Sequence, residues 1–72
     1  MTLDNAKVGS YIRIVSIPDE VIRAQAIRLG IGEGSLVCCM EKLPSGPVII
    51  KNGFQEIAVG RQLAKSIEVK VS

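Results

Sequence analysis

Five short β-branched segments, one stretch with helical punctuation and closely spaced Gly and Pro residues point to a mainly β fold. The expected architecture is a small antiparallel barrel of about five strands, with one α-helix between the first and second. Apolar residues make up 47% of the chain, with Ile and Val prominent, which suits strands packed from branched side chains. Seventy-two residues provide for one domain, expected to span residues 1–72. A chain this small buries only about 60% of its unfolded surface, so its apolar positions must be used efficiently.

"SYIRIVSI", from Ser10, alternates after Tyr11: Ile12 and Ile14 point one way, Arg13 and Val15 the other, as in a half-buried strand. "SIPDEVIRAQAIRLG" carries helix signals at both ends. Pro18 suits a first helical turn, with Ser16 or Ile17 before it. Asp19 and Glu20 sit where the helix dipole favours negative charge, and Arg28 sits where it favours positive charge. Ile22, Ala26 and Leu29 fall at i, i+4 and i+7 and form one apolar stripe. Arg23, one turn after Asp19, is placed for a weak ion pair. Gly30 follows where a left-handed C-terminal cap belongs.

After Gly34, "SLVCCMEK" has the length and composition of a strand. "LPSGPV" reads as a turn, with Gly46 and Pro47 supplying permissive and restricted backbone. "VIIK" and "FQEIAVG" read as two strands joined at "KNGF", where Asn52-Gly53 is a two-residue hairpin signal. "RQLAKS" can hold one helical turn. "IEVKVS" alternates, with Ile67, Val69 and Val71 expected inward and Glu68 and Lys70 outward. One helix among five strands rules out a doubly wound parallel sheet. A bent barrel that closes off its own edges is the economical solution; an SH3-like barrel fits best and an OB-like barrel second.

"RLGIGEGSLV", residues 28–37, places three glycines at alternate positions. A dinucleotide fingerprint needs a strand before its glycines and a helix after them, so that the helix N-terminus faces the pyrophosphate. Here the helix comes first. Its C-terminal end would present partial negative charge to a phosphate. The spacing is also wrong, and no Gly-Lys-Ser/Thr follows. Gly30, Gly34, Gly46, Pro47 and Gly53 are therefore read as structural turn residues.

The chain contains no His, which removes the usual base at neutral pH. Asp4, Glu33, Glu41 and Glu56 are scattered and form no cation-binding loop. Cys38 and Cys39 are adjacent, so on a strand they point to opposite faces and cannot share a metal or form an ordinary bridge. They read as reduced thiols of an intracellular protein. No catalytic residue, metal ligand or cofactor site is expected, with weak ferrous binding left open. Nine Lys and Arg against seven Asp and Glu give a net charge of +2, spread along the chain. Neither a basic face nor stacking aromatics beyond Tyr11 and Phe54 supports a nucleic-acid partner. The start shows no basic-then-apolar leader, and no apolar run reaches the ~18 residues of a membrane span. A binding or regulatory module, not an enzyme, is the expected class.

Three blocks carry a family resemblance. "RAQAIRLGIGEGS" is similar to the "R-x-x-L-x-x-LG(I/L/M)-x-x-G" segment of the FeoA family. "KLPSGPVII" resembles its second-strand exit, and "EIAVGRQLAKSIEV" resembles its ending, "x(I/L)A(L/I)-x-(R/K)-x-x-A-x-x-I-x-V". Together they run from Arg23 to Val69. The resemblance implies a small cytoplasmic SH3-like barrel that serves bacterial ferrous iron uptake. It further implies, as partner, the cytosolic GTP-binding domain of the transporter FeoB. Similar domains end the iron-dependent repressors, so a stand-alone metal-responsive or oligomerising domain is the alternative. Ala26 stands where the family usually has a larger Leu. Pro-rich peptide recognition does not come with the fold, because it needs an aromatic-lined groove. The candidate partner-contact residues are Arg23 and Ile27, which lie off the apolar helix stripe. The sequence leaves open the oligomeric state and the sense of any regulation.

Overall fold

The computed structural model describes residues 1–72 and contains five strands, two helices and a 3-10 turn. The strands are β1 (Tyr11–Ser16), β2 (Leu36–Lys42), β3 (Val48–Asn52), β4 (Gln55–Val59) and β5 (Glu68–Val71). Helix α1 (Glu20–Arg28) joins β1 to β2, and the single turn α2 (Arg61–Ala64) joins β4 to β5. All neighbouring strands are antiparallel, in the order β4-β3-β2-β1-β5. The expected five-stranded, one-helix SH3-like architecture is therefore present, but the sheet does not close off its own edges as expected: β4 and β5 each have a single strand neighbour.

Period two sets the inward face. Ile12 and Ile14 of β1, Val37 and Cys39 of β2, Val48 and Ile50 of β3, Ile57 and Val59 of β4, and Val69 of β5 are all buried. No polar or charged residue is buried, so the interior holds together by apolar packing without an internal hydrogen-bond network. Val71, expected inward, is exposed: it pairs with Ile12 at the end of β5, where nothing covers its side chain.

Helix α1 starts two residues later than Pro18 suggests. Asp19 is the N-cap, and its carboxylate accepts from the N–H groups of Val21 (2.9 Å) and Ile22 (3.1 Å). Two orphan donors of the first turn are thereby satisfied, and Pro18 is left outside the helix. Ala26 is fully buried, with Ile22 and Leu29 partly buried against the core, as the stripe predicts. The C-terminus closes in a Schellman motif: the Gly30 N–H donates to Ile27 O (2.9 Å) and the Ile31 N–H to Ala26 O (2.9 Å). Gly30 has φ +80°, and the Ile31 that follows is fully buried.

The β3–β4 hairpin is shifted by one residue from the expected Asn52-Gly53 loop. Asn52 pairs with Gln55, so the loop is Gly53-Phe54, with Gly53 at φ +65° and Phe54 at negative φ. That is the Gly-X pattern of a type II′ turn. In the 43–47 turn the left-handed residue is Ser45 (φ +53°), not Gly46. Gly46 answers a close approach instead, since a Cβ there would lie 3.1 Å from the Leu43 Cβ. Arg61 fastens this turn, donating from Nε to Gly46 O (2.7 Å) and from Nη2 to Leu43 O (2.9 Å).

Sequence periodicity offers no sign of the N-terminal segment's role. Residues Leu3–Asn5 form the 3-10 turn, and Leu3 and Ala6 are completely buried. The segment runs along the outer edge of β5. Leu3 N–H donates to Ile67 O (2.9 Å), Val69 N–H donates to Met1 O (2.7 Å), and Thr2 bridges to Glu68. Lys42 Nζ, donating to Asp4 O at 3.2 Å, ties it to β2.

Candidate functional site

Arg23 and Ile27 both lie on the exposed side of α1, one turn apart, and their roles differ. Ile27 is 62% exposed and packs into nothing the fold requires. Arg23 is a brace: its Nε donates to Ile17 O (2.9 Å) and its Nη2 to Pro18 O (3.4 Å). The Asp19–Arg23 ion pair does not form, because Asp19 caps the helix and Arg23 reaches back to the connection before it. The chain's one salt bridge joins the N-terminal amine to Glu68 (2.9 Å).

The loop from Gly30 to Gly34 is firmly held beside this face. Asn52 Nδ2 donates to Gly30 O (2.9 Å), which brings the β3–β4 hairpin tip to the end of α1. Glu33 Oε2 accepts from the Ile17 N–H (3.3 Å), and Arg13 donates to Gly34 O (2.7 Å). Gly34 has φ +90°, and its N–H donates to Ile14 O (2.8 Å). Beyond the hairpin tip stands Phe54, fully exposed. Ile27, the 30–34 loop and Phe54 thus share one end of the barrel. Only Ile27 is detectable from sequence; the expected strand includes Phe54, and the hairpin shift puts it at the tip instead.

A shallow groove lies across the outer face of β1, β2 and β3, lined by Tyr11, Leu36, Cys38, Met40 and Lys51, with Gly9 and Gly53 at its ends. The two thiols meet different surroundings. Cys39 is buried beneath this face, where desolvation pushes its thiol above the ordinary range; Lys42 partly offsets this and Cys38 adds to it. Cys38 is only half-buried and free, as Cys39 is. Under native conditions a charged aromatic disulfide reagent should modify one thiol readily and the second only on unfolding, read by the stoichiometry of released thiolate. Two equally fast thiols would show that the β2 register is wrong.

No group of three or more His, Cys, Asp or Glu side chains is assembled to hold a metal ion. No helix is long and apolar enough to cross a membrane. What this end of the barrel offers is a braced, partly apolar contact surface.

Comparison with known proteins decides the family. The model of the FeoA domain matches residues 1–71. The chain belongs to the FeoA family. It is accordingly an accessory domain of ferrous iron transport. No curated protein sequence matches this FeoA domain. Among solved structures, the crystal structure of an iron uptake regulatory protein (FeoA) is 26% identical with a TM-score of 0.90, covering 100% of this chain and 97% of that one. FeoA of Stenotrophomonas maltophilia, solved with zinc, is 24% identical with a TM-score of 0.78, covering 97% and 89%. The manganese regulator SloR is 12% identical with a TM-score of 0.89; this FeoA domain covers 34% of that chain, and the likeness shows the fold alone.

Proposed function

We propose that this FeoA domain is a non-enzymatic, cytoplasmic module that docks on the GTP-binding domain of the ferrous iron transporter FeoB. The docking surface is the α1 face around Ile27, continued by the loop to Gly34. The observation that carries this reading is the pairing of a braced scaffold with an unused apolar side chain. Arg23, Glu33 and Asn52 fix the backbone on both sides of Ile27, while Ile27 itself is 62% exposed. A preordered surface loses little conformational entropy on binding, and an apolar anchor beside an Arg is a common centre of contact energy.

Ile27→Glu should weaken binding to the isolated GTP-binding domain by roughly tenfold or more, because it places a charge where apolar area is desolvated. Calorimetric titration checks this, with thermal unfolding as control. The melting temperature should stay within a few degrees, since Ile27 contributes no core contact. Arg23→Ala is the less clean test. It releases the Ile17 and Pro18 carbonyls and lowers stability as well as affinity. Unchanged affinity in Ile27→Glu would place the contact elsewhere on the barrel.

The metal-responsive alternative makes a different prediction. A sensor needs a defined ligand set, and here the side chains suited to metal are dispersed. Anaerobic titration with ferrous iron should give no stoichiometric micromolar site in the isolated domain. A saturable site at that affinity would favour the sensor reading.

A further inference from the structure

The two edges of the sheet are treated differently. The outer edge of β5 is covered by residues 1–3 of the same chain. The outer edge of β4 is covered by nothing: β3 is its one strand neighbour. The hairpin register shows which groups are left. In a two-residue hairpin the flanking pair Asn52–Gln55 exchanges hydrogen bonds, and so, two residues on, does Ile50–Ile57. Glu56 and Ala58 are the alternate, non-bonded positions, with their N–H and C=O groups aimed away from β3. Neither N–H donates to any loop, helix or side chain.

Little blunts this edge. Natural edge strands are guarded by Pro, charged side chains, a bulge or a covering segment, and of these β4 has only the charge of Glu56, which Lys51 faces across the β3–β4 pair. Its register with β3 runs unbroken through five pairs, whereas the β1–β5 and β2–β3 pairings both carry an irregularity. Ile57, at the middle of β4, is also the least buried member of the core, at 6% exposure against 2% or less for the others.

We infer that β4 pairs antiparallel with β4 of a second copy of this chain, forming a weak two-fold dimer with a continuous ten-stranded sheet. The strand is self-complementary in one register. With the two-fold axis at Ile57, Glu56 lies opposite Ala58 of the second copy and Ala58 opposite its Glu56. Both are hydrogen-bonding positions, so four main-chain bonds form. No like charges face each other across the new ladder. Within each copy Lys51 already stands across from Glu56. The same register sets Phe54 opposite Gly60, a residue whose surroundings are open, and brings the two Ile57 positions together on the axis. An isologous contact of this kind closes at two copies and does not propagate. The dimer does not rest on the transporter-docking reading, which is centred on α1 and the loop to Gly34; the two surfaces meet only at the Phe54 tip.

Sedimentation equilibrium of the intact chain tests it, over roughly 20 µM to 2 mM, the range suited to a weak association. The weight-average mass should rise from 7.7 kDa toward twice that value. Ala58→Pro removes an outward N–H from each copy and leaves every β3–β4 bond in place, so it should stay monomeric. Ala58→Glu, which sets a second carboxylate against Glu56 of the other copy without touching the backbone, should also stay monomeric. It guards against a folding defect in the proline variant. A wild type that remains at 7.7 kDa throughout overturns the inference, as does one whose Glu56 and Ala58 amides respond only when a transporter domain is added. Dimerisation of both variants as strong as the wild type's also overturns it.

Discussion

Leu3→Ala should lower the unfolding free energy by about 2–5 kcal/mol, the range for truncating a fully buried Leu. In a domain this small each kcal/mol is worth roughly 4–8 °C of melting temperature, so a drop of roughly 8–40 °C is expected. The reason is geometric. Leu3 enters the core from a segment held along β5 by two main-chain hydrogen bonds, to Ile67 and from Val69, so its removal leaves a hole beneath a tethered backbone. Denaturant unfolding of the wild type and the variant measures it directly. A loss below about 1 kcal/mol would mean that the N-terminal segment is dispensable trim on the barrel.

Gly30→Val should be the next most damaging change, at about 2 kcal/mol, with Gly30→Ala near 1 kcal/mol. Space is not the cause, because a Cβ at Gly30 would meet its nearest neighbour, Gln55 Oε1, at an ordinary 3.7 Å. The cost is the backbone. At φ +80° a side chain crowds the carbonyl, and a β-branched one crowds it more. Letting φ relax instead would break the Schellman bonds and withdraw Ile31 from the core. Added nucleotide should leave the wild-type melting temperature unchanged, since the loop follows the negative end of a helix. A ranking with Ala worse than Val, or a nucleotide-dependent rise, would contradict a left-handed structural cap at Gly30.

The strands are legible because their alternation is strict where one face is buried. Ile12 and Ile14, then Ile67 and Val69, can be assigned inward from spacing alone, as can the Ile22, Ala26 and Leu29 stripe. The hairpin shows where local signals lose. An Asn52-Gly53 loop would have set Ile50 against Gln55 and Val48 against Ile57. The observed Gly53-Phe54 loop sets Ile50 against Ile57 and Val48 against Val59, apolar on apolar at both pairs. Cross-strand packing outweighs turn propensity, and the turn takes the register that packing demands. Leu3 is illegible for another reason: a three-residue turn has no period, and its burial depends on a contact with residue 67 that no local window contains. The candidate site is half legible. Ile27 stands out as an apolar residue off the stripe. Arg23 looks like its companion on the surface, but its guanidinium is bound to two backbone carbonyls six and five residues earlier in the chain.

The most direct test of the docking surface is a titration of uniformly ¹⁵N-labelled FeoA domain with the unlabelled GTP-binding domain of FeoB, followed by amide chemical shifts. The perturbed amides should cluster at residues 23–34 and reach the Gly53-Phe54 tip, while the β4 edge at Glu56 and Ala58 stays quiet. Perturbations confined to the Tyr11–Leu36–Met40 groove, or none at saturating partner, would contradict docking through the α1 face.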